Sequence, residues 1–269
     1  MDIKEREVLR MKQLLHYFLS AGDTVEFRNF TLAHILPIAV LGVIIFLISR
    51  NRERLQNYRH EQRIRLALAL LLICTEMSYY WRLVAIPELG PNPIDHLPIT
   101  VCGWCVVFSS YMILTKNQWM FDICYFWLLS GTIFALITPT VITYTGPTRF
   151  RYYQFWLEHT LGYVAVFYMI FVHGMRPNKK SLVRSLFWLG VLAVIAYIAN
   201  TILGPGANYL YMAKPESTPS ILDILPPNFA LRVCIMGGAM ITLHCLAYLP
   251  WYLKDRKSAK AKMEEMVQV

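Results

Sequence analysis

Charge is scarce in this 269-residue sequence: Asp, Glu, Lys and Arg together make up 16% of it, while 56% is hydrophobic and the mean hydropathy is +0.41. A soluble domain of this size needs more polar surface than that, so an ordinary soluble fold is excluded. Cysteine is absent from every segment outside the apolar runs; Cys74, Cys102, Cys105, Cys124, Cys234 and Cys245 all lie within them. A disulfide framework is therefore not expected. Cys102 and Cys105 form a CxxC, but no second ligand pair follows it at useful spacing, and a metal site is not expected either. There is no repeat of fixed period, no low-complexity tract and no nucleic-acid motif. The net charge of +9 needs another explanation.

What is present is a series of apolar runs of spanning length, about 18 to 25 residues each. They fall at 32–49, 64–87, 97–115, 119–139, 155–175, 183–204 and 229–253. The fold class expected is all-α, a polytopic membrane protein with a seven-helix transmembrane bundle. Residues 1–30 form an amino-terminal segment in which Val8, Met11, Leu15, Phe18 and Leu19 share one helical stripe, the pattern of an interfacial amphipathic helix. Residues 31–253 make the membrane domain and 254–269 a basic tail. Loop 50–65 carries six arginines and 176–184 four basic residues, whereas 88–96 carries none, 140–154 two and 205–228 one. By the positive-inside rule the amino terminus lies outside and the carboxyl terminus in the cytoplasm. Basic loops against anionic headgroups account for the net charge.

Ionisable residues inside a span are costly and mark function by default. Here they are Glu76, Arg82, Asp122, Glu158, His159 and Arg232. With the third span taken to begin near Leu97, Cys102 is five residues in. His159 lies at nearly the same depth in the fifth span, whereas His173 and His244 are far from it. His34 and His96 rank behind His159 because they sit at span entrances. A cysteine beside a histidine is a nucleophile with a base; a cysteine in an apolar helix is also ordinary packing material. Both readings stay open on the residues alone. Glu158 points away from its neighbour His159 on a helix and is expected to pair with Arg82 or Arg232. Thr100 is either a nucleophile itself or bonded back to a backbone carbonyl. Tyr79, Tyr80 and Trp81 read as an aromatic belt, with Tyr80 a candidate wall of a lipid pocket. After Gly204-Pro205-Gly206 the segment "NYLYMAKPESTPSILDILPP" is too apolar for a free loop and is expected to fold back over the exterior mouth.

The ordered set "HLPITVCGW", "YFWLLSGTIFALITP", "FWLEHTLGY" and "NYLYMAKPESTPSILDILPP" resembles the YwaF-like family of bacterial integral membrane proteins. Related eukaryotic proteins, of the transmembrane protein 164 type, are described as phospholipid acyltransferases. The resemblance runs from about Leu97 to Pro250. It implies a multi-pass protein of the bacterial cell membrane, a cysteine nucleophile at Cys102, a histidine base at His159 and an exterior loop containing Asn208, Tyr209, Lys214 and Pro215. Many members carry His or Gln where this chain has Thr100. The activity implied is transfer of a fatty acyl group from a phospholipid to a lysolipid through a thioester, with membrane phospholipids and lysolipids as partners and no cofactor. Thr100, Glu76, Tyr80, Arg82, Glu158, Asn208, Tyr209, Lys214 and Arg232 are then the substrate-binding candidates. The alternatives are a lipid hydrolase using the same pair, a transporter whose path is lined by Glu76, Arg82, Glu158 and Arg232, and a scaffold without chemistry.

Overall fold

The computed structural model describes residues 2–21, 27–139, 145–215 and 220–267. Helix covers most of these and no strand occurs among them. The long helices are α1 (Ile3–Leu19), α2 (Leu32–Arg50), α3 (Glu61–Ala85), α4 (Val101–Thr115), α5 (Gln118–Ile137), α6 (Phe150–His173), α7 (Lys179–Leu203) and α8 (Phe229–Val267). Six of them, α2, α3, α5, α6, α7 and α8, are long and apolar enough to cross a membrane. The run expected at 97–115 yields α4, an apolar helix of 15 residues. The missing turn has a local cause. Pro98 disfavours helix at Leu97, which is extended instead, and Thr100 caps the helix from its Ncap position by accepting the Gly103 N–H at 3.0 Å.

Burial sorts the bundle into centre and periphery. In α5 and α6, 61% of the spanning window is buried; in α2, α7 and α8 it is 11%. The outer helices carry exposed Ile44, Phe46, Phe187, Val194, Ile202, Ile241 and Leu246. A membrane-spanning bundle presents such side chains to lipid, since only helices with internally satisfied backbones are viable there. The central core joins Leu72 of α3, Met112 and Ile113 of α4, Phe121, Phe126 and Trp127 of α5, and Phe155 and Met169 of α6. Each is close to fully buried. The carboxyl-terminal tail, expected as a separate segment after Leu253, continues α8 as helix through Pro250 to Val267.

Two features shape the surroundings of Cys102. In the middle of α5 the ladder widens to a π-helical turn over Leu128–Thr132. Such turns free a carbonyl, and Tyr163 of α6 donates its hydroxyl to Leu128 O at 2.5 Å. The second is the segment after α7. Asn200 brackets the Tyr209 backbone, accepting its N–H at 2.7 Å and donating to its C=O at 3.1 Å. The Tyr209 hydroxyl accepts from Leu97 N at 2.8 Å and donates to Pro93 O at 2.7 Å. Ala207, Tyr209 and Met212 are buried against Ala196, with Leu97 and Ile99 packed alongside. The expected fold-back is thus seen for 207–212, whereas Ile221 and Ile224 are exposed and 216–219 lie outside the described residues.

At its carboxyl end α1 is clamped to the bundle. Arg82 of α3 donates to Leu19 O at 2.5 Å and Ser20 O at 3.0 Å, and Arg149 donates to Tyr17 O and to Ser20 Oγ. Arginines at the last carbonyls of a helix satisfy acceptors that have no intrahelical donor. No residue of α1 is buried, and Val8, Met11 and Leu15 are exposed.

Candidate active site

Cys102 is the second residue of α4, not a residue five deep in a span. The difference matters chemically, because a helix N-terminus presents free N–H groups and favours negative charge. The Cys102 Sγ donates to Thr132 Oγ1 at 3.7 Å, and Thr132 is the last residue of the π-helical turn, 1% exposed. Gly131 permits this approach: a Cβ there would sit 3.2 Å from Val101 Cγ1. None of the six cysteines is in a disulfide. Among the described residues no cluster of three His, Cys, Asp or Glu could hold a metal. Cys105 is buried one turn on, where its carbonyl accepts from Cys124 Sγ at 3.9 Å.

His159 is 5% exposed in α6. Its Nδ1 bonds Phe155 O at 2.8 Å; a carbonyl only accepts, so Nδ1 carries the proton and Nε2 the lone pair. The Phe155 ring lies 4.1 Å from the imidazole centroid. No hydrogen bond joins His159 to Cys102; the thiol rests on Thr132. The helix register brings the two to a common level nevertheless. Tyr163 meets Leu128, α5 and α6 run antiparallel as consecutive spans, and one turn outward from that bond are His159 on α6 and Thr132, the partner of Cys102, on α5. His34 is excluded as an alternative, whereas His96, like His159, is bonded through Nδ1 alone. His34 accepts from Phe30 N at 2.8 Å and donates to Leu136 O at 2.7 Å, so both nitrogens are used. His96 Nδ1 faces the Asn92 backbone.

The acidic pair of the site is Glu76 and Glu158. Glu158 pairs with Arg151 at 3.5 Å, not with Arg82 or Arg232. The buried Gln154 links them, accepting from Arg151 and donating to Glu158 at 3.0 Å and to Thr75 O at 3.3 Å. The two arginines expected to pair with Glu158 are occupied elsewhere. Arg82 holds the end of α1, and Arg232 donates to Tyr211 O at 2.8 Å and Leu222 O at 3.4 Å, fastening the exterior segment. Glu76 differs from Glu158: it is 6% exposed and has no hydrogen bond or ion pair to any described residue. Its Oε1 lies 3.0 Å from where a Cβ on Gly103 would be, a close approach that glycine allows without displacing the carboxyl.

The remaining candidates divide by role. Thr100 caps α4 with its side-chain oxygen and makes no hydrogen bond to a backbone carbonyl among the described residues. Asn208 closes its own loop, accepting from Ala213 N and Lys214 N and donating to Lys214 O. Lys214 is exposed. Tyr80 lines a shallow apolar depression of about 320 Å³ with Leu83, Val84, Pro93, His96 and Leu97, at the edge of the segment that leads into α4. Sequence reasoning missed Thr132, Arg151, Gln154 and Asn200. Thr132 and Asn200 look like ordinary helix residues, and the one local signal for the π-helical turn is the run of small residues Ser130-Gly131-Thr132.

A family model, that of the TMEM164 family, matches residues 29–248. No curated protein and no solved structure matches the chain.

Proposed function

The chain belongs to the TMEM164 family, and from that premise and the geometry around Cys102 we propose that this multi-pass membrane protein transfers a fatty acyl group between lipids. Cys102 is the nucleophile and His159 the base. The observation that carries the reading is the placement of Cys102 in the first turn of a capped helix, with the buried His159, whose Nε2 is left with a lone pair, at the same level of α6 by helix register. The thiol turns from Thr132 toward His159 and gives up its proton to Nε2. The thiolate attacks the ester carbon of a phospholipid; the C–S bond forms, the C–O bond to the glycerol breaks, and the departing oxygen takes the proton back from the imidazolium. A lysolipid hydroxyl, deprotonated by the same histidine, then attacks the thioester and releases the thiol. By the positive-inside rule the site faces the exterior leaflet.

The test is acyl transfer from a labelled phospholipid to a lysophospholipid by purified protein in lipid nanodiscs. Cys102→Ala is expected to lose both transfer and the hydroxylamine-sensitive acyl label on the protein, with the folded fraction unchanged. Transfer at the wild-type rate by Cys102→Ala would falsify the reading. Free fatty acid in place of new lipid, with lysolipid in excess, would make the protein a hydrolase that uses the same residues.

A further inference from the structure

Arg65, Arg82 and Arg149 are buried arginines whose charge is answered by what surrounds them. Arg65 pairs with Glu61 at 2.9 Å, and Arg82 and Arg149 hold carbonyls at the carboxyl end of α1, the negative end of that helix's dipole. Arg232 has no such answer. It is the fourth residue of α8, at the positive end of a 39-residue helix whose first turn holds no acid. It is 0% exposed, and among the described residues no carboxylate pairs with it. Arginine keeps its charge at any pH a protein meets, and a buried charge without a counter-ion is costly. Its nitrogens are only partly used: Nε donates to Tyr211 O at 2.8 Å and Nη2 to Leu222 O at 3.4 Å, while Nη1 has no acceptor.

The contact at Leu222 is slight. At 3.4 Å it is longer than an ordinary N–H···O bond, and the turn that supplies it, Ile221–Ile224, has no buried residue. Lifting that turn breaks one long hydrogen bond and leaves Nη1 and Nη2, adjacent on one edge of the guanidinium, both without acceptors. Nε stays on Tyr211 O. Two parallel donors of this kind match two oxygens of a phosphate. The surroundings say what carries the phosphate: Ile221, Ile224, Phe229, Leu231 and Ile235 are exposed on the turn and on α8, so an anion reaching Arg232 does so beside apolar surface. We propose that Arg232 is the phosphate site for a phospholipid substrate, with Nη1 and Nη2 binding the two non-ester oxygens of the headgroup phosphodiester once the Ile221–Ile224 turn lifts. The place suits acyl transfer between lipids. Val233, the next residue, packs in the same apolar cluster as Leu97 and Ile99, which lead into the turn of Cys102. A phospholipid donor and a lysophospholipid acceptor both carry the phosphate, so one arginine serves both halves of the reaction without touching the bonds that change.

This inference rests on the acyl-transfer reading for the identity of the lipid, and the experiment separates the two because it measures binding without turnover. The full chain in a phosphate-free maltoside detergent is titrated with a fluorescent lysophosphatidylcholine and with the monoacylglycerol of the same chain, which lacks only the headgroup. Wild type is expected to prefer the lysophospholipid by roughly 10- to 100-fold, the usual worth of hydrogen bonds to a charged group. Arg232→Gln should bring that ratio close to one. A purely structural arginine would weaken both lipids alike and leave the ratio standing. Arg232→Lys, whose ammonium keeps the charge but cannot fork, is expected to fall between the two and serves where Gln does not fold. A wild-type ratio near one, or a full wild-type ratio in the Gln or Lys variant, overturns the phosphate site while leaving Cys102 as nucleophile. Millimolar inorganic phosphate is expected not to displace the lysophospholipid; displacement would make the anion a free one and overturn the lipid assignment. The Cys102→Ala transfer assay decides the nucleophile separately.

Discussion

At the scale of single residues, the same side-chain type does different work according to its local partners. Thr100 and Thr132 both lie near Cys102; one caps α4 by accepting Gly103 N–H, the other receives the thiol. An Ncap replaced by Ala costs about 1 kcal/mol, whereas Ser and Asn cap as well as Thr. Thr100→Ala should therefore lower the melting temperature and the transfer rate together, as the first turn frays and takes Cys102 with it. Thr100→Asn, which caps without a hydroxyl, should restore both. Loss of transfer in Asn but not in Ser would show the hydroxyl itself reacting. Arginine shows the same division. Arg82, Arg149 and Arg232 hold backbone carbonyls, while Arg151 holds the acidic pair partner Glu158. Intramembrane charge was a sound marker of importance, yet most of it is spent on fastening chain segments.

At the scale of elements, the π-helical turn in α5 is the feature on which the site depends. It adds a residue to the turn, so Thr132 reaches Cys102 and Leu128 O reaches the Tyr163 hydroxyl. Deleting Leu129 would remove the extra residue and let the helix close to α geometry, withdrawing Thr132 from Cys102 while the flanking turns keep their register. The expected outcome is a folded protein with transfer strongly reduced and with Cys102 alkylated at an altered rate by a small maleimide. Unchanged transfer and alkylation would mean that the turn only accommodates packing. Gly103 is a second point of close approach: Glu76 of α3 comes within 3.0 Å of where a Cβ on α4 would be. Gly103→Ala should push Glu76 aside and disturb the turn that holds Cys102, lowering transfer without abolishing thiol reactivity.

At the scale of the whole molecule, the length of α4 sets where the chemistry sits. Fifteen residues rise roughly 22 Å, short of a hydrocarbon core of about 30 Å. Its N-terminus therefore opens inside the bundle, which is tolerated only where protein or a cavity surrounds it. Here the surround is the extended Leu97–Thr100 lead-in, the exterior segment tied on by Tyr209, and Glu76 beneath. The proposed orientation places this opening toward the exterior. In a background without the other surface cysteines, Glu53→Cys is expected to react with impermeant maleimide only from the cytoplasmic face, and Lys214→Cys only from the exterior. The opposite pattern would reverse the orientation and the leaflet that supplies substrate.

The sequence by itself determined the class of the molecule, because apolar runs of spanning length have few ways to satisfy their backbones. It also placed the helices to within a few residues at most ends, and it singled out Cys102, His159, Glu76 and Glu158 as groups that a membrane protein would not bury idly. It could not separate those four from Arg82, Arg232, Asn208 and Tyr209, since intramembrane polarity is the same signal whether it serves chemistry or architecture. Tertiary structure decided that. Pro98 and the Thr100 cap moved the start of α4 to Cys102; an extra residue in the α5 turn supplied Thr132; and Arg151, from the loop side of α6, took the partner expected of Arg82. Each depends on which side chains meet across helices distant in sequence, and periodicity along one helix carries no information about the contacts of another.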